Sequence, residues 1–392
     1  MRLRRQLPVY SPLSASALLS GAGALLSGGG SARRRVTEWL EREYRTTRPL
    51  LTGSGTMALA LAMRASRSAD RPGVALPAYG CYDLVTAALG AGVPVAWYDL
   101  DPATLAPDWP SLERALSGGV GGMVIVHYYG VPVDFTPVRE LARRFDTLVI
   151  EDAAQGIGGA LDGLPLGALG DLGVLSFGRG KGLTGGGGGA LLLNTERGRS
   201  AHSALGGAPG PAEGALRALA TTTAQWLLAR PSTYALPSAL PFLRLGETVF
   251  REPEPERVIN PVAVGILAET MHLAAGEADS RRRNAAWLIE HLRGAGKVPG
   301  GSIGQPGYLR LPMLLGEASR LAADSSRARA LGIMAGYPMA LNSLPGSTAS
   351  STEYSGAREL VQSLVTLPVH SKLKDRERKD VVSTLTGSTL PT

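Results

Sequence analysis

Short, unbroken apolar runs recur through the first half of the chain, with polar or periodic stretches between them. They predict strands over Val74–Pro77, Val93–Tyr98, Met123–His127, Thr147–Ile150, Gly173–Phe177 and Ala190–Leu193. Their apolar residues do not alternate with polar ones, which marks strands buried on both faces. Between them, Leu84–Leu89 and Thr136–Phe145 read as helices, and residues 33–48 as an amphipathic helix rich in Arg and Glu. Met57–Ala65 is a run of Ala, Leu and Met, all strong helix formers. Strands alternating with helices predict an α/β fold: a mostly parallel sheet covered by helices on both faces. Such sheets bind ligands at the carboxyl ends of their strands, where His127, Asp152 and Ser176 fall.

The pattern changes after Thr195. Residues 196–256 are rich in Ala, Leu and Pro and close on Glu252-Pro253-Glu254-Pro255-Glu256, a stiff polar linker. Beyond it, helices are expected over Pro261–Leu292, Ser319–Leu331 and Asp375–Leu385, with a strand over Tyr308–Leu314. This predicts an N-terminal arm (1–32), a large domain (33–255) and a smaller C-terminal α+β domain (256–392). Arg2-Leu3-Arg4-Arg5 and the Ala/Leu/Ser/Gly stretch Ala15–Leu26 loosely imitate a signal peptide. Gly and Ser interrupt the apolar part, so a surface arm and short helix are expected. Trp226–Leu245 is apolar but broken by Arg230, Arg244, Pro231, Pro237 and Pro241, which suits a lid or membrane-touching hairpin and not a membrane span.

Composition narrows the function classes. The chain is 44% hydrophobic and 19% charged, enough apolar material for a large core. Its net charge of +7 is spread over clusters at Arg2–Arg5, Arg33–Arg35, Arg281–Arg283 and Lys372–Lys379. These read as solvated helix faces, or as attraction for an anionic, nucleotide-linked ligand. Aromatic content is 5%, and no zinc or helix-turn-helix spacing occurs, so nucleic acid is not an expected partner. A single cysteine, Cys81, leaves no internal disulfide and no cysteine-rich metal site; a reducing, cytoplasmic compartment fits.

Candidate chemistry centres on Lys181. It lies in Ser176-Phe177-Gly178-Arg179-Gly180-Lys181-Gly182-Leu183-Thr184, followed by Gly185–Gly189. Asp152 ends the strand before it. An amine and a carboxylate at neighbouring strand ends suit pyridoxal 5'-phosphate: the lysine condenses with the aldehyde and the aspartate keeps the pyridine nitrogen protonated. Gly53-Ser54-Gly55-Thr56 before the Met57 helix makes a phosphate cradle, although the same residues also make a plain helix N-cap.

Gly53-Ser54-Gly55-Thr56-x-Ala58-Leu59, Glu151-Asp152-Ala153-Ala154-Gln155 and Ser176-Phe177-x-x-x-Lys181 stand in that order, with Asp152 29 residues before Lys181. Val126-His127-x-Tyr129-Gly130, Asp99-x-Asp101-x-x-Thr104 and Leu367-Pro368-Val369-His370 accompany them. Together they resemble the DegT/DnrJ/StrS family of fold-type-I pyridoxal phosphate sugar aminotransferases, most clearly over residues 50–195. The resemblance implies that Lys181 is catalytic and carries the cofactor, and that Asp152 pairs with the ring nitrogen. It puts Gln155 near the phenolic oxygen and Gly55, Thr56 and Ser176 on the phosphate. His127 is read as a core histidine or one behind the site. Cys81 stands where the family usually stacks an aromatic on the ring, so Tyr82, beside it, or Tyr79 is expected to substitute, or the ring is held differently. Ile157 replaces a frequent histidine, and the glycine run lacks the family's glutamate. Asn260 is the nearest counterpart of an asparagine that a partner subunit lends to the phosphate. The implied function is amino transfer from glutamate or glutamine to a keto sugar, nucleotide-linked, by a homodimer. Alternatives are another pyridoxal phosphate reaction in secondary metabolism and a non-catalytic regulator.

Overall fold

The structure, a computed structural model, describes residues 5–206, 209–229, 233–234, 248–300, 303–344 and 353–387. Arg2-Leu3-Arg4 and most of the stretch read as a lid or hairpin lie outside the described residues.

Seven strands form one sheet: β1 (Leu50–Thr52), β2 (Gly73–Pro77), β3 (Val95–Tyr98), β4 (Val120–Val126), β5 (Leu148–Asp152), and, after a short hairpin of β6 (Ala160–Leu161) and β7 (Leu164–Pro165), β8 (Leu172–Ser176) and β9 (Gly189–Leu193). Their order is β1-β9-β8-β5-β4-β2-β3. Strands β3, β2, β4, β5 and β8 run parallel; β9 is antiparallel to β8, and β1 to β9. Every residue of β2, β4, β8 and β9 is buried, which is why these segments are unbroken apolar runs. The sheet with its helices is the expected α/β architecture.

A second sheet is antiparallel, in the order β10 (Gly296–Lys297), β11 (Leu311–Leu315), β13 (Leu364–Leu367), β12 (Met334–Ala335). Its core joins Leu288, Leu311, Met313, Val365 and Val381. The first core continues past the proline-rich linker to Ile259, Ala263, Val264, Leu267 and Ala274. The chain therefore changes cores within the helix Ala274–His291. The linker is polar and stiff, but the helix after it, Pro261–Thr270, is apolar on every side and needs burial all round.

The helix Ala15–Ser27 supplies part of that cover. Gly21 and Gly265 let the two backbones approach: a Cβ on Gly265 would lie 2.7 Å from the Ser20 carbonyl oxygen and from the Ala24 Cβ. Ser20 Oγ donates to the Gly265 carbonyl at 2.9 Å. The small residues of Ala15–Leu26 are thus a packing face. Among the described residues, no helix is long and apolar enough to cross a membrane.

Candidate functional site

Strand β5 ends in two carboxylates that a strand's alternation sends to opposite faces. Glu151 is fully buried and accepts N–H bonds from Gly167 (2.5 Å), Leu169 (2.6 Å) and Gly170 (2.9 Å). His127 Nε2 lies 2.9 Å from it. His127 Nδ1 accepts the Val133 N–H at 3.2 Å, so the proton sits on Nε2 and is donated to Glu151. The imidazole stacks on Phe135. His127 thus ties the end of β4 to the loop before β8, inside the core.

Asp152 turns the other way. Its Oδ1 accepts the Ala154 N–H at 3.0 Å; no bond is made to Oδ2 among the described residues. Burial pushes this carboxyl up from the usual range, while Ala154, the Lys181 charge and His127 pull it down. Such a carboxylate favours a cationic partner.

Lys181 lies in the loop from β8 to β9. Phe177 O accepts from Gly185 N (2.9 Å) and Thr184 Oγ1 (3.2 Å), and Thr184 Oγ1 accepts from Gly186 N (2.9 Å). Ser11 Oγ donates to the Lys181 carbonyl at 2.7 Å. Beneath the loop, Gly182 rests on the buried Arg281 guanidinium; a Cβ there would be 2.9 Å from Nη1. The loop is held at several points, yet Lys181 Nζ has no hydrogen bond or ion pair among the described residues.

The helix Gly55–Ser66 starts beside the end of β8. Ser54 Oγ caps it, accepting from Met57 N at 3.1 Å. Gly55 approaches Ser176 so closely that a Cβ would lie 2.7 Å from Ser176 Cβ and 2.9 Å from Oγ. Helix N-terminus and Ser176 hydroxyl therefore converge on one point.

One pocket is lined by Gly55, Thr56, Cys81, Asp152, Gln155, Ser176 and Lys181, together with Tyr337. It adjoins a cleft of about 830 Å³ that shares Gly55, Thr56, Ser176 and Lys181. The donor set fits pyridoxal phosphate: an amine without a partner among the described residues, a half-buried carboxylate with a free oxygen, and a helix N-terminus that a glycine brings against the Ser176 hydroxyl.

Of the expected residues, Cys81 and Gln155 line the pocket, and Tyr82 and Asn260 do not. Tyr82 is buried at the start of the helix Asp83–Ala91 and does not line the pocket. Cys81 does; its Sγ–H donates to Asp83 Oδ2 at 3.4 Å, and burial, helped by Asp83 and opposed by Lys181, pushes the thiol up to about 12. It is a neutral thiol at physiological pH. Gln155 is committed at both ends: Oε1 accepts from Tyr129 N (3.1 Å) and Nε2 donates to Tyr337 Oη (2.7 Å). Asn260 caps the helix Pro261–Thr270, with Oδ1 accepting from Ala263 N at 2.9 Å, and that bond occupies it locally.

Tyr337 is the pocket residue that sequence reasoning missed. It packs edge-on against Tyr79 and stacked on Tyr129, and its N–H donates to Tyr79 Oη at 3.1 Å. Tyr129 has φ 56°, a left-handed conformation unusual for a tyrosine; Gln155 and Leu309 N–H (2.8 Å to Tyr129 O) hold it. The sole local hint of Tyr337 is its place in Gly336-Tyr337-Pro338, a turn-forming sequence.

Residues 27–205 match the model of the DegT/DnrJ/EryC1/StrS aminotransferase family. Over 289 residues the chain is 28% identical to UDP-N-acetyl-3-dehydro-alpha-D-glucosamine 3-aminotransferase of Acidithiobacillus ferrooxidans, covering 73% of this chain and 69% of that one. Over 165 residues it is 32% identical to L-glutamine:2-deoxy-scyllo-inosose aminotransferase of Streptomyces kanamyceticus, covering 42% of this chain and only 39% of that one. Among solved structures, sugar aminotransferase CalS13 from Micromonospora echinospora superposes with a TM-score of 0.75 at 22% identity, over 97% of this chain and 99% of that one. PseC of Helicobacter pylori superposes with a TM-score of 0.78 at 14% identity, over 98% and 99%. At these identities the structural likeness establishes the fold.

Proposed function

We propose, from the premise that the chain belongs to the DegT/DnrJ/EryC1/StrS aminotransferase family, that it transfers an amino group from glutamine or glutamate to a keto sugar, using pyridoxal phosphate. The observation that carries this reading is the meeting of the Lys181 amine and the half-satisfied Asp152 carboxylate in one pocket. A nucleotide-linked sugar is favoured by the relative named for a UDP-linked keto sugar and by the size of the adjoining cleft. Glutamine is favoured as donor by the relative named for it.

When bound, pyridoxal phosphate supplies an aldehyde that condenses with amines and a ring that accepts electrons. Lys181 would hold its aldehyde carbon and Asp152 its ring nitrogen, a cation that also relieves the half-buried carboxylate. Gly55, Thr56 and Ser176 would take the phosphate. Gln155 would stand at the phenolic oxygen, positioned by Tyr129 and Tyr337. Cys81 would present a thiol where an aromatic is usual, a smaller and softer face. Once freed from the aldehyde, Lys181 Nζ would serve as the base in this pocket, holding the proton lost from the donor's Cα and supplying one to the acceptor carbon. Assembly as a homodimer belongs to this proposal; the exposed Leu19 and Leu26 on one helix and Leu216 and Leu227 on a neighbouring one offer an apolar face. A cytoplasmic setting belongs to it as well, since a single cysteine leaves no internal disulfide to form.

The test is direct. Protein mixed with pyridoxal phosphate gains a visible absorbance band that borohydride abolishes. Lys181→Ala lacks the band and loses amino transfer to a panel of keto sugars by at least about 1,000-fold. Transfer by Lys181→Ala at the wild-type rate overturns the mechanism.

A further inference from the structure

Tyr337 follows β12 and reaches the Lys181 pocket from the second sheet's side. Two bonds fix its backbone: Gly336 N donates to Leu364 O at 2.9 Å, and Tyr337 N to Tyr79 Oη at 3.1 Å. Gly336 makes the second possible, since a Cβ there would lie 2.3 Å from Tyr79 Oη. The ring is then clamped, edge-on to Tyr79 with centroids 5.4 Å apart and stacked on Tyr129 at 6.1 Å.

The protons around its hydroxyl follow from one backbone group. An N–H only donates, so the Gln155 atom that Tyr129 N meets at 3.1 Å is Oε1. Nε2 therefore faces Tyr337, and Oη accepts from it at 2.7 Å. That bond leaves the hydroxyl's own proton unused, and Oη donates to nothing among the described residues. Burial, with Cys81, Tyr79 and Asp152 adding to it and Gln155 opposing, holds this hydroxyl well above the usual tyrosine range. Tyr128, Tyr129 and Arg310, an arginine just before β11 that lines the adjoining cleft, face it as well. It therefore keeps its proton at working pH. Gln155 Nε2 also has a second N–H besides the one given to Tyr337. Two donors stand 2.7 Å apart at the edge of the pocket, each with a proton to give.

We propose that the Tyr337 hydroxyl is a second donor, beside Gln155, to the phenolic oxygen of pyridoxal phosphate. This rests on the pyridoxal phosphate reading of the pocket. The phenolic oxygen is an anion next to the carbon that Lys181 holds. Two donors on it draw its charge toward themselves, so it pulls less on the proton at the Lys181 nitrogen. That nitrogen then gives up its proton at lower pH and is ready to take one from an incoming ammonium. Because Tyr337 comes from the second sheet's side, this setting exists only while the second domain is in place.

Wild type and Tyr337→Phe, which keeps both ring contacts, are titrated with pyridoxal 5'-phosphate and with 3-deoxypyridoxal 5'-phosphate, which lacks only the phenolic oxygen. Tyr337→Phe binds pyridoxal phosphate about 10-fold more weakly, and the analogue within about threefold of wild type. In the loaded protein, the pH at which the visible band gives way rises by about one pH unit. The same rise appears when Tyr337→Phe is placed in a Gln155→Ala background. Equal weakening toward both cofactors makes the hydroxyl a structural support and overturns the proposal. A rise that vanishes in the Gln155→Ala background shows Tyr337 acting only through Gln155, and also overturns it. So does a midpoint that stays where it is in wild type. If wild type gains no borohydride-sensitive band at all, the pyridoxal phosphate reading itself falls, a result distinct from these, each of which starts from a loaded wild type.

Discussion

Glu151 and Asp152 are adjacent carboxylates with opposite roles, and the backbone decides which is which. Glu151 faces a loop that offers it three N–H groups and His127, so its charge is fully satisfied inside the core. Asp152 faces the pocket with one N–H. Substitution separates the two. Glu151→Gln places an amide N–H₂ against backbone donors and costs about 2–4 kcal/mol in chemical unfolding of the unloaded protein. Asp152→Asn removes a charge that burial disfavours, so the unloaded protein unfolds at the same or higher denaturant, while its affinity for pyridoxal phosphate falls by about 100-fold in absorbance titration. A large loss of unloaded stability in Asp152→Asn would mean that its charge holds the fold and not a ligand. Of this pair, the strand-end position of both was legible in Val149-Ile150-Glu151-Asp152; the division of labour was not, because it depends on which loop covers each face.

At the scale of elements, the site is a junction between a strand end and a helix start. Gly55 allows the helix Gly55–Ser66 to meet β8 at Ser176, and the clearance there is smaller than a methyl group. Gly55→Ala therefore forces the two apart, with an expected cost of about 1–3 kcal/mol in Tm-derived stability and a weakened hold on the cofactor phosphate. Unchanged pyridoxal phosphate affinity in a folded Gly55→Ala would remove this junction from the cradle. Much of this level was readable beforehand. Both-face burial makes parallel strands unbroken apolar runs, and Ser54 ahead of Met57–Ala65 announced a helix start. What escaped was contributed by distant elements. Tyr337 and Arg310 enter from the second sheet's side, and no local pattern marks a residue whose partners are set by domain packing. The short helix expected over Ala15–Leu26 is present, but its packing escaped similarly: its glycines interrupt an apolar run in sequence, while in space they let it lie against Pro261–Thr270.

At the scale of the whole molecule, the N-terminal segment straps the two cores together across the site. Gln6 N donates to Ala330 O at 2.8 Å, His370 Nε2 to Leu7 O at 2.9 Å, and Ser11 Oγ to Lys181 O at 2.7 Å. The strap thus runs from the second domain to the loop that carries the lysine, and Leu7 and Pro8 line the cleft on the way. His370 is its titratable anchor. Nδ1 accepts the Lys372 N–H at 3.2 Å, so both ring nitrogens are used only by the neutral imidazole. Burial, with Arg310, Lys372 and Arg281 adding to it, lowers its pKa from the ordinary 6.5 to about 4, while Leu7 O opposes the shift. Between these values the unfolded chain binds a proton that the folded chain refuses, so the stability that this imidazole contributes is complete above pH 6.5 and is lost as pH falls toward 4. The loss is on the order of 3 kcal/mol. His370→Gln keeps a donor for Leu7 and cannot titrate. Urea unfolding at pH 7 and pH 5 should show a drop in midpoint for wild type and a clearly smaller one for His370→Gln. Equal drops would place acid sensitivity elsewhere. A smaller drop, accompanied by retention at pH 5 of the cofactor band that wild type loses, would show that the strap holds the Lys181 loop as well as joining the domains, because Ser11 is the strap's bond to that loop.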